Sequence, residues 1–475
     1  MAGSVAIHWF RRDLRIADNT ALNAALAGHD QVVPVYILSE WKAQHHWCGA
    51  PWQKFLCGCL ESLARNLEAK GGRLIIRQGR ADEVLEKLIL ETGATALHFN
   101  RDPDPFGRQM EKAIEKMAVK WMVAVHAHQD IALHERDEIL TASGTPFKVF
   151  TPFARAWHQR SKPEPGRTLS RIVVPEQVSS DELPALNAWG LECAAEIVSP
   201  GERAARRRLE RFLDGPIFYY SINRDFPARS DTSRLSQDLR WGTLSIREVY
   251  ARCMAAAKGA TVKRRHSIEV FINELIWREF YFQVLWFRPD VLEHEFQDEY
   301  RDLDWREHWR PGARPDGPEI ERWRDGQTGF PIVDAGMRQL LATGFMHNRV
   351  RMITAMFLTK DLHIWWMHGE SHFMRHLVDG EIASNNGGWQ WSASTGTDAA
   401  PYFRIQNPWS QSRRFDPEGA YIRQWVPELR DVDPAKLKTP PSDGSPIAKG
   451  YPAPMIDHAR EREAALEMFK GERKK

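Results

Sequence analysis

The stretch Asn385-Asn386-Gly387-Gly388-Trp389-Gln390-Trp391-Ser392 sets amides and glycines beside two indoles, and runs on to Phe403-Arg404-Ile405-Gln406-Asn407-Pro408. Glycine permits close backbone approach or positive φ, and tryptophan offers a flat apolar face. That set suits a flat, polar, aromatic ligand; a buried turn with packed Trp is the plainer alternative. In Asn273-Glu274-Leu275-Ile276-Trp277-Arg278, helical spacing i, i+3, i+4 puts Glu274, Trp277 and Arg278 on one face. Glu274 can there accept a hydrogen bond from a nucleobase, or pair with Arg278 on the surface. Thr232-Ser233-Arg234-Leu235-Ser236, shortly after Tyr219-Tyr220, clusters hydroxyls ahead of a helix. They suit phosphate binding beside free N–H groups, or ordinary N-capping. Gly344-Phe345-Met346-His347-Asn348-Arg349-Val350-Arg351-Met352 joins arginines, an amide and methionines before an apolar helix. His368, His372 and His376 follow i, i+4, i+8 with His363 nearby, but no HExxH or cysteine accompanies them, so no metal is expected.

The elements that must position these groups fall into two kinds. Apolar runs at 5–10, 32–38, 73–76, 96–99 and 122–125 alternate with helix-period segments at 19–26, 52–70, 81–92 and 108–119. Such alternation predicts a doubly wound α/β domain with a parallel sheet over 1–130. The first strand is followed not by GxGxxG but by Arg11-Arg12-Asp13-Leu14-Arg15, which argues against a dinucleotide-dependent dehydrogenase. Those arginines read as an anion contact or as a solvated charged loop. Proline-punctuated residues 131–200 read as a connector, and 201–475 as mostly helical, with helices at 202–214, 245–257, 267–287, 334–343 and 350–360.

Composition narrows the class. At 475 residues, 43% hydrophobic and 27% charged, the chain is long enough for two cores and is not disordered. A net charge of +2 names no partner, because a neutral total can hide a basic face. Twelve of the 19 Trp lie after residue 200, from Trp241 to Trp425. Five cysteines without a CxxC pair (Cys48, Cys57, Cys59, Cys193, Cys253) suggest free thiols in a reducing compartment. Neither a signal-peptide pattern nor an 18-residue apolar run is found, so a cytoplasmic protein is expected.

Taken in order, His8-Trp9-Phe10-Arg11-Arg12-Asp13-Leu14-Arg15, Arg224-Asp225-Phe226-Pro227, Thr232-Ser233-Arg234-Leu235-Ser236 and Glu274-Leu275-Ile276-Trp277-Arg278-Glu279-Phe280-Tyr281 carry a resemblance. Thr328-Gly329-Phe330-Pro331-Ile332-Val333-Asp334-Ala335, Met346-His347-Asn348-Arg349, the Asn385 stretch and Gly450-Tyr451-Pro452-Ala453-Pro454 extend it over nearly the whole chain. The chain resembles the DNA photolyase/cryptochrome family, most nearly the class I cyclobutane pyrimidine dimer photolyases.

The resemblance implies an α/β antenna domain (1–130), a linker (131–200) and a large all-α FAD- and DNA-binding domain (201–475). It assigns Tyr220, Thr232, Ser233, Leu235 and Ser236 to the FAD phosphates and ribityl chain. Arg278, Asn348, Arg351, Asp379 and Asn385 surround the flavin, with Asp379 pairing Arg351 and Asn385 facing N5. The lesion is flipped from the duplex, as photolyases are known to do. Glu274 and Asn348 then bond the damaged bases, Trp277 and Trp391 flank them, Met352 packs against them, and Arg224 and Arg404 touch phosphates. Light-excited FADH⁻ passes an electron to the dimer, the ring splits, and the electron returns. Trp389, Trp366 and a third Trp, Trp309 before Trp305, carry electrons in from the surface to reduce oxidised flavin.

Phe345, Glu381 and Ser384 depart from the family's usual Trp, Asp and Ala, and Trp365 beside Trp366 is unusual. The other reading is a cryptochrome-type photoreceptor without repair. The short charged segment after Gly450-Tyr451-Pro452 is expected to leave no signalling tail, and Met352, where six-four enzymes prefer His, favours cyclobutane dimers. The family is usually monomeric. An antenna pigment is expected at Phe99-Asn100-Arg101-Asp102-Pro103-Asp104-Pro105-Phe106-Gly107, deazaflavin first and folate second, with Trp52 as a residue that can fill the cleft instead.

Overall fold

The computed structural model describes residues 3–39, 45, 47–306 and 317–472. Strands β1 (Val5–Phe10), β2 (Gln31–Leu38), β3 (Ile75–Gln78), β4 (Ala96–Asn100) and β5 (Ala124–His128) all pair in parallel, in the order β3-β2-β1-β4-β5. Helices α1 (Thr20–Gly28), α2 (Ala50–Glu68), α3 (Ala81–Thr92) and α4 (Pro105–Trp121) make the crossovers. Every residue of β1 and β4 is buried, as central strands covered on both faces require. β5 starts two residues later than the apolar run suggested, because Met122 adopts φ 54° and caps α4 through its own N–H. β3 is displaced similarly, since Arg73 turns away to the carbonyls of Pro175, Glu176 and Val178. The connector thereby covers the β3 edge: Ile76 N–H donates to Ser180 Oγ at 2.9 Å, and Asp181 N–H to the Ile76 carbonyl at 2.9 Å.

The arginines after β1 are neither a solvated loop nor an open anion contact. Arg12 and Arg15 are buried. Arg11 pairs with Glu111, Arg12 reaches Asp102 at 2.8 Å, and Arg15 reaches Asp130 at 2.6 Å. Burial alone would raise the Asp130 carboxyl, yet Arg15 and Arg247 hold it down at about 2. Carboxylates about a hundred residues away in sequence thus neutralise this segment, and local charge counting could not find them.

By contact the chain forms two compact units, one of residues 1–193, 198–221 and 233–287, the other of 194–197, 222–232 and 288–475. The first adds α5 (Phe150–Gln159), α6 (Glu202–Leu213), α7 (Ser236–Trp241), α8 (Ile246–Ala257) and α9 (Val262–Phe287) to the sheet. The second contains α10 (Pro331–Thr343), α11 (Asn348–Met356), α12 (Trp366–His376), α13 (Ile382–Ala393), α14 (Pro408–Phe415) and α15 (His458–Glu472). Its core gathers Trp323, Phe330, Phe357, Trp366, Trp389, Trp409 and Tyr421. Among the described residues no helix is long and apolar enough to cross a membrane.

α11 passes into a π-helical turn, Phe357–Asp361, which buries Lys360 completely. Its ammonium nitrogen lies 3.5 Å from the centre of the Phe469 ring on α15 and has no hydrogen-bond acceptor among the described residues. Burial pushes this amine well below the ordinary lysine range. The unfolded chain therefore binds a proton that the folded one refuses. That difference costs stability at neutral pH and fades as pH rises towards the unfolded value of about 10.4. Lys360→Met is expected to stabilise the protein by about 1–4 kcal/mol. It should also flatten the gain in wild-type stability between neutral pH and the lysine range; urea melts at a series of pH values read both.

Candidate functional site

In the first unit the site residues are Tyr220, those on α9, and the segment from Ser233 into α7; Thr232, the preceding residue, belongs to the second unit. Trp277 stacks flat on Phe150, with ring centres 3.7 Å apart and planes 2° from parallel. Phe150 opens α5 and carries no local signal for this role. Arg278 turns inward, donating to the Ile131 carbonyl at 2.7 Å and the Leu239 carbonyl at 3.1 Å, so the surface pair with Glu274 is not its use. Burial, together with Arg12 and Arg240, lowers Arg278 to about 9. Neighbouring Glu279 is buried and raised to about 7; it accepts the Leu133 N–H and the Trp157 indole N–H, tying connector and α5 to α9. Tyr220 is buried edge-on against Phe212 and Phe271.

The hydroxyl cluster does not cap its helix. Leu235 occupies the N-cap of α7, and no side chain caps the turn. The hydroxyls of Thr232, Ser233 and Ser236 are left with no protein hydrogen-bond partner among the described residues. Unspent hydroxyls of this kind fit a phosphate- and ribityl-bearing cofactor.

In the second unit α11 and α13 carry the polar groups. Arg351 Nη2 meets both oxygens of Asp379 at 3.1 and 2.9 Å, and its Nε donates to the Met346 carbonyl at 2.8 Å. The Asp379 side chain is only 2% exposed. Phe345 lies under the same guanidinium at 5.4 Å. Asn348, first in α11, is exposed, and Met352 one turn on is half-buried beside Arg349. Arg349 also reaches Asp225 at 2.6 Å. Glu381 is the N-cap of α13 and is buried, Ser384 and Arg224 are half-buried, and Arg404 is exposed.

The Asn385 stretch is a regular helix, contrary to its composition. Neither Gly387 nor Gly388 takes positive φ; the left-handed residue is Ser394, at the C-cap. Packing overrides propensity: Trp389 and Gln390 are buried, and the Asn386 and Gln390 side chains both bond the Val291 carbonyl. A Cβ at Gly388 would meet nothing within 4 Å, so that side of the helix is open. The two adjacent asparagines do different work. Asn385 Nδ2 is held by the carbonyl and Oε1 of Glu370, each at 3.0 Å. The Asn385 side-chain oxygen, Oδ1, is left as an acceptor without a protein donor among the described residues. That acceptor fits a flavin ring N–H, and nothing near Asn385 in sequence pointed to Glu370.

Trp389 is buried against Phe373 and Trp323, with ring centres 4.9 and 6.1 Å away. Gly369 makes room for it: a Cβ there would lie 2.0 Å from the indole. Trp366 is fully buried, and its indole shares Glu295 Oε1 with that of Trp365, at 3.1 and 2.7 Å. Trp391 is half-buried. Trp305 is buried, with its N–H unmatched, and Trp309 lies outside the described residues.

Known proteins resemble this chain along nearly its whole length. The family model described as "DNA photolyase" matches residues 6–170, and "FAD binding domain of DNA photolyase" matches 271–471. The deoxyribodipyrimidine photo-lyase of Synechococcus is 39% identical, over 95% of this chain and 93% of that protein. A bacterial class III photolyase structure from Agrobacterium tumefaciens superimposes with a TM-score of 0.91 at 36% identity, covering 100% of this chain and 99% of that one. An archaeal photolyase from Sulfolobus tokodaii, solved with two FAD molecules, gives 0.84 at 32%, covering 98% and 100%. Both halves of the sequence, and the fold that carries them, place this chain in the DNA photolyase family.

Proposed function

We propose that the protein is a light-driven DNA-repair lyase that splits cyclobutane pyrimidine dimers. The carrying observation is the Asn385 side-chain oxygen, Oδ1, aimed by the Nδ2 bonds to Glu370 in the unit that also holds the Arg351–Asp379 pair. FAD, when bound, supplies the light-absorbing electron donor. Tyr220, Thr232, Ser233, Leu235 and Ser236 are assigned to its phosphates and ribityl chain, and Arg278, Asn348, Arg351, Asp379 and Asn385 to its ring. An amide at 385 meets a ring N–H without adding charge. Glu274 and Asn348 are assigned to the base edges, Trp277, Met352 and Trp391 to the apolar faces, and Arg224 and Arg404 to phosphates. The stack of Phe150 on Trp277 supports a flat, apolar role for this indole, since it fixes the plane of the ring.

The division into antenna, linker and FAD domain at 130 and 200, the class I assignment, a monomeric state and a cytoplasmic location belong to the same proposal. The antenna pigment reading is deazaflavin or folate. Against deazaflavin, the 99–107 segment spends its polar groups internally: Asn100 on Asp13 and Asn19, Asp102 on Arg12, Asp104 on the Gly107 N–H. Trp52 is buried 4.3 Å from Trp241.

Blue-light repair of a thymine-dimer oligonucleotide by the reduced holoprotein tests the reading. Glu274→Ala is expected to lose about 1.5–3 kcal/mol of lesion binding, roughly 10- to 150-fold in Kd. A FAD-loaded wild type that leaves the dimer intact would sink the proposal and favour the photoreceptor.

A further inference from the structure

A basic face in the first unit is used by none of the residues above. Arg203, Arg207 and Arg211 recur at i, i+4 and i+8 along α6 and are all exposed. Arg208, on the opposite side, is buried against Asp238 at 2.6 Å, which fixes the orientation of the stripe. The turn after α6, Pro216–Tyr219, places Phe218 5.0 Å beneath the Arg264 guanidinium. Ser221 N–H donates to Ser267 Oγ at 2.9 Å, so the first turns of α9 lie beside the chain leaving α6. Those turns expose Lys263, Arg264, Arg265 and His266 in succession, and α8 ends at exposed Lys258.

Neither the α6 stripe nor Lys258, Lys263, Arg264 or Arg265 has a carboxylate within 4.0 Å among the described residues. Glu210, itself exposed, and Glu248 are engaged with Arg252 and Arg206 at 3.9 and 3.2 Å; Asp214 and Glu269 are the other exposed acids of the same segments. In a chain of net charge +2 this is a local excess that the rest of the surface balances. Cations in the first turn of α9 also oppose its dipole, so local stability does not account for them. The exposed residues of α6 are charged without an apolar one among them. Tyr219 and Val262 are exposed at the edge of the face but form no apolar stripe along a helix, so the charges suit a polyanion's phosphates better than insertion into a bilayer. Arginine predominates, and its fork matches phosphate oxygens.

We propose that this face is a second, lesion-independent docking surface for duplex DNA, gripping backbone phosphates outside the lesion contacts. It rests on the DNA-repair reading. The test is the FAD-loaded Arg207→Ala/Arg211→Ala/Lys263→Ala/Arg264→Ala variant, all exposed positions, with melting temperature and bound FAD as folding controls. Binding to an undamaged duplex is measured over a salt series, beside repair of a short single-stranded dimer oligonucleotide. The slope of log K against log salt is expected to shrink by about 2–4, at about 0.9 for each phosphate that the variant no longer neutralises. Affinity for the duplex at low salt should fall at least about tenfold, while repair of the short oligonucleotide is kept. Arg207→Lys/Arg211→Lys should keep most of the slope. An unchanged slope and affinity in the alanine variant overturns the inference, as does loss of binding to anionic vesicles in place of duplex. A wild type that binds duplex but cannot repair defeats the repair reading alone.

Discussion

Arg351→Ala is expected to cost about 3–5 kcal/mol of stability and to strip the protein of flavin. Asp379 is almost wholly withdrawn from water, and Arg351 is the cation that meets both of its oxygens. Removing the guanidinium leaves a buried carboxylate uncompensated, and deprives the Met346 carbonyl of its donor. Urea denaturation should show a lower midpoint, and the flavin absorbance of the purified protein should fall by at least about 100-fold in affinity terms. The double variant Arg351→Ala/Asp379→Asn separates the two roles. It removes the stranded charge and should recover much of the stability, yet it still lacks the cation proposed to face the flavin. Recovery of stability without flavin supports a binding role; recovery of both makes the pair structural; an Arg351→Ala protein that keeps its midpoint and its flavin refutes the assignment.

What the sequence disclosed follows from the range of the interactions. The parallel sheet was legible because strand burial and crossover spacing write themselves into local apolar runs. The helix carrying Glu274, Trp277 and Arg278 was legible from its periodicity, but the inward turn of Arg278 to the Ile131 and Leu239 carbonyls was not. Partners between elements were not. Glu370 holds Asn385 from 15 positions away on another helix, and Glu295 meets Trp366 from 71 positions away. The helical form of 382–393 was hidden because two glycines and two asparagines argue against a helix, while Val291 and the packed indoles decide for one. The helix expected over 350–360 gives way to a π-helical turn at 357–361 that buries Lys360, a change that local periodicity does not record. Asn385 and Asn386 were indistinguishable by type, although the first is left with a free acceptor and the second is spent on a buried carbonyl.

Light-driven reduction of the FAD-loaded protein is expected to fall at least about 100-fold in Trp366→Phe, about 2.7 kcal/mol in barrier terms. Trp366 is sealed from solvent, so no solute or water can stand in for it. Phenylalanine keeps most of the packing but lacks an oxidisable indole and the N–H that meets Glu295. Burial raises the Glu295 carboxyl and the two indole donors counter it, so both tryptophans are pinned to a single acceptor. Trp365 is therefore the discriminating control. It is half-exposed and bonded to the same oxygen, so a branch running through it would make Trp365→Phe as damaging as Trp366→Phe. We expect Trp365→Phe to retain most of the rate, because its role is to hold Glu295. An outermost carrier exchanges electrons with solutes and Trp305 is 3% exposed, so Trp305→Phe is expected to keep most of the rate of light-driven reduction. Chemically reduced Trp366→Phe should repair dimers at the wild-type rate, because no electron then has to enter from the surface. Normal light-driven reduction in Trp366→Phe would remove this residue from the path, and slowed repair by the pre-reduced variant would show instead that the substitution disturbs the pocket through its packing.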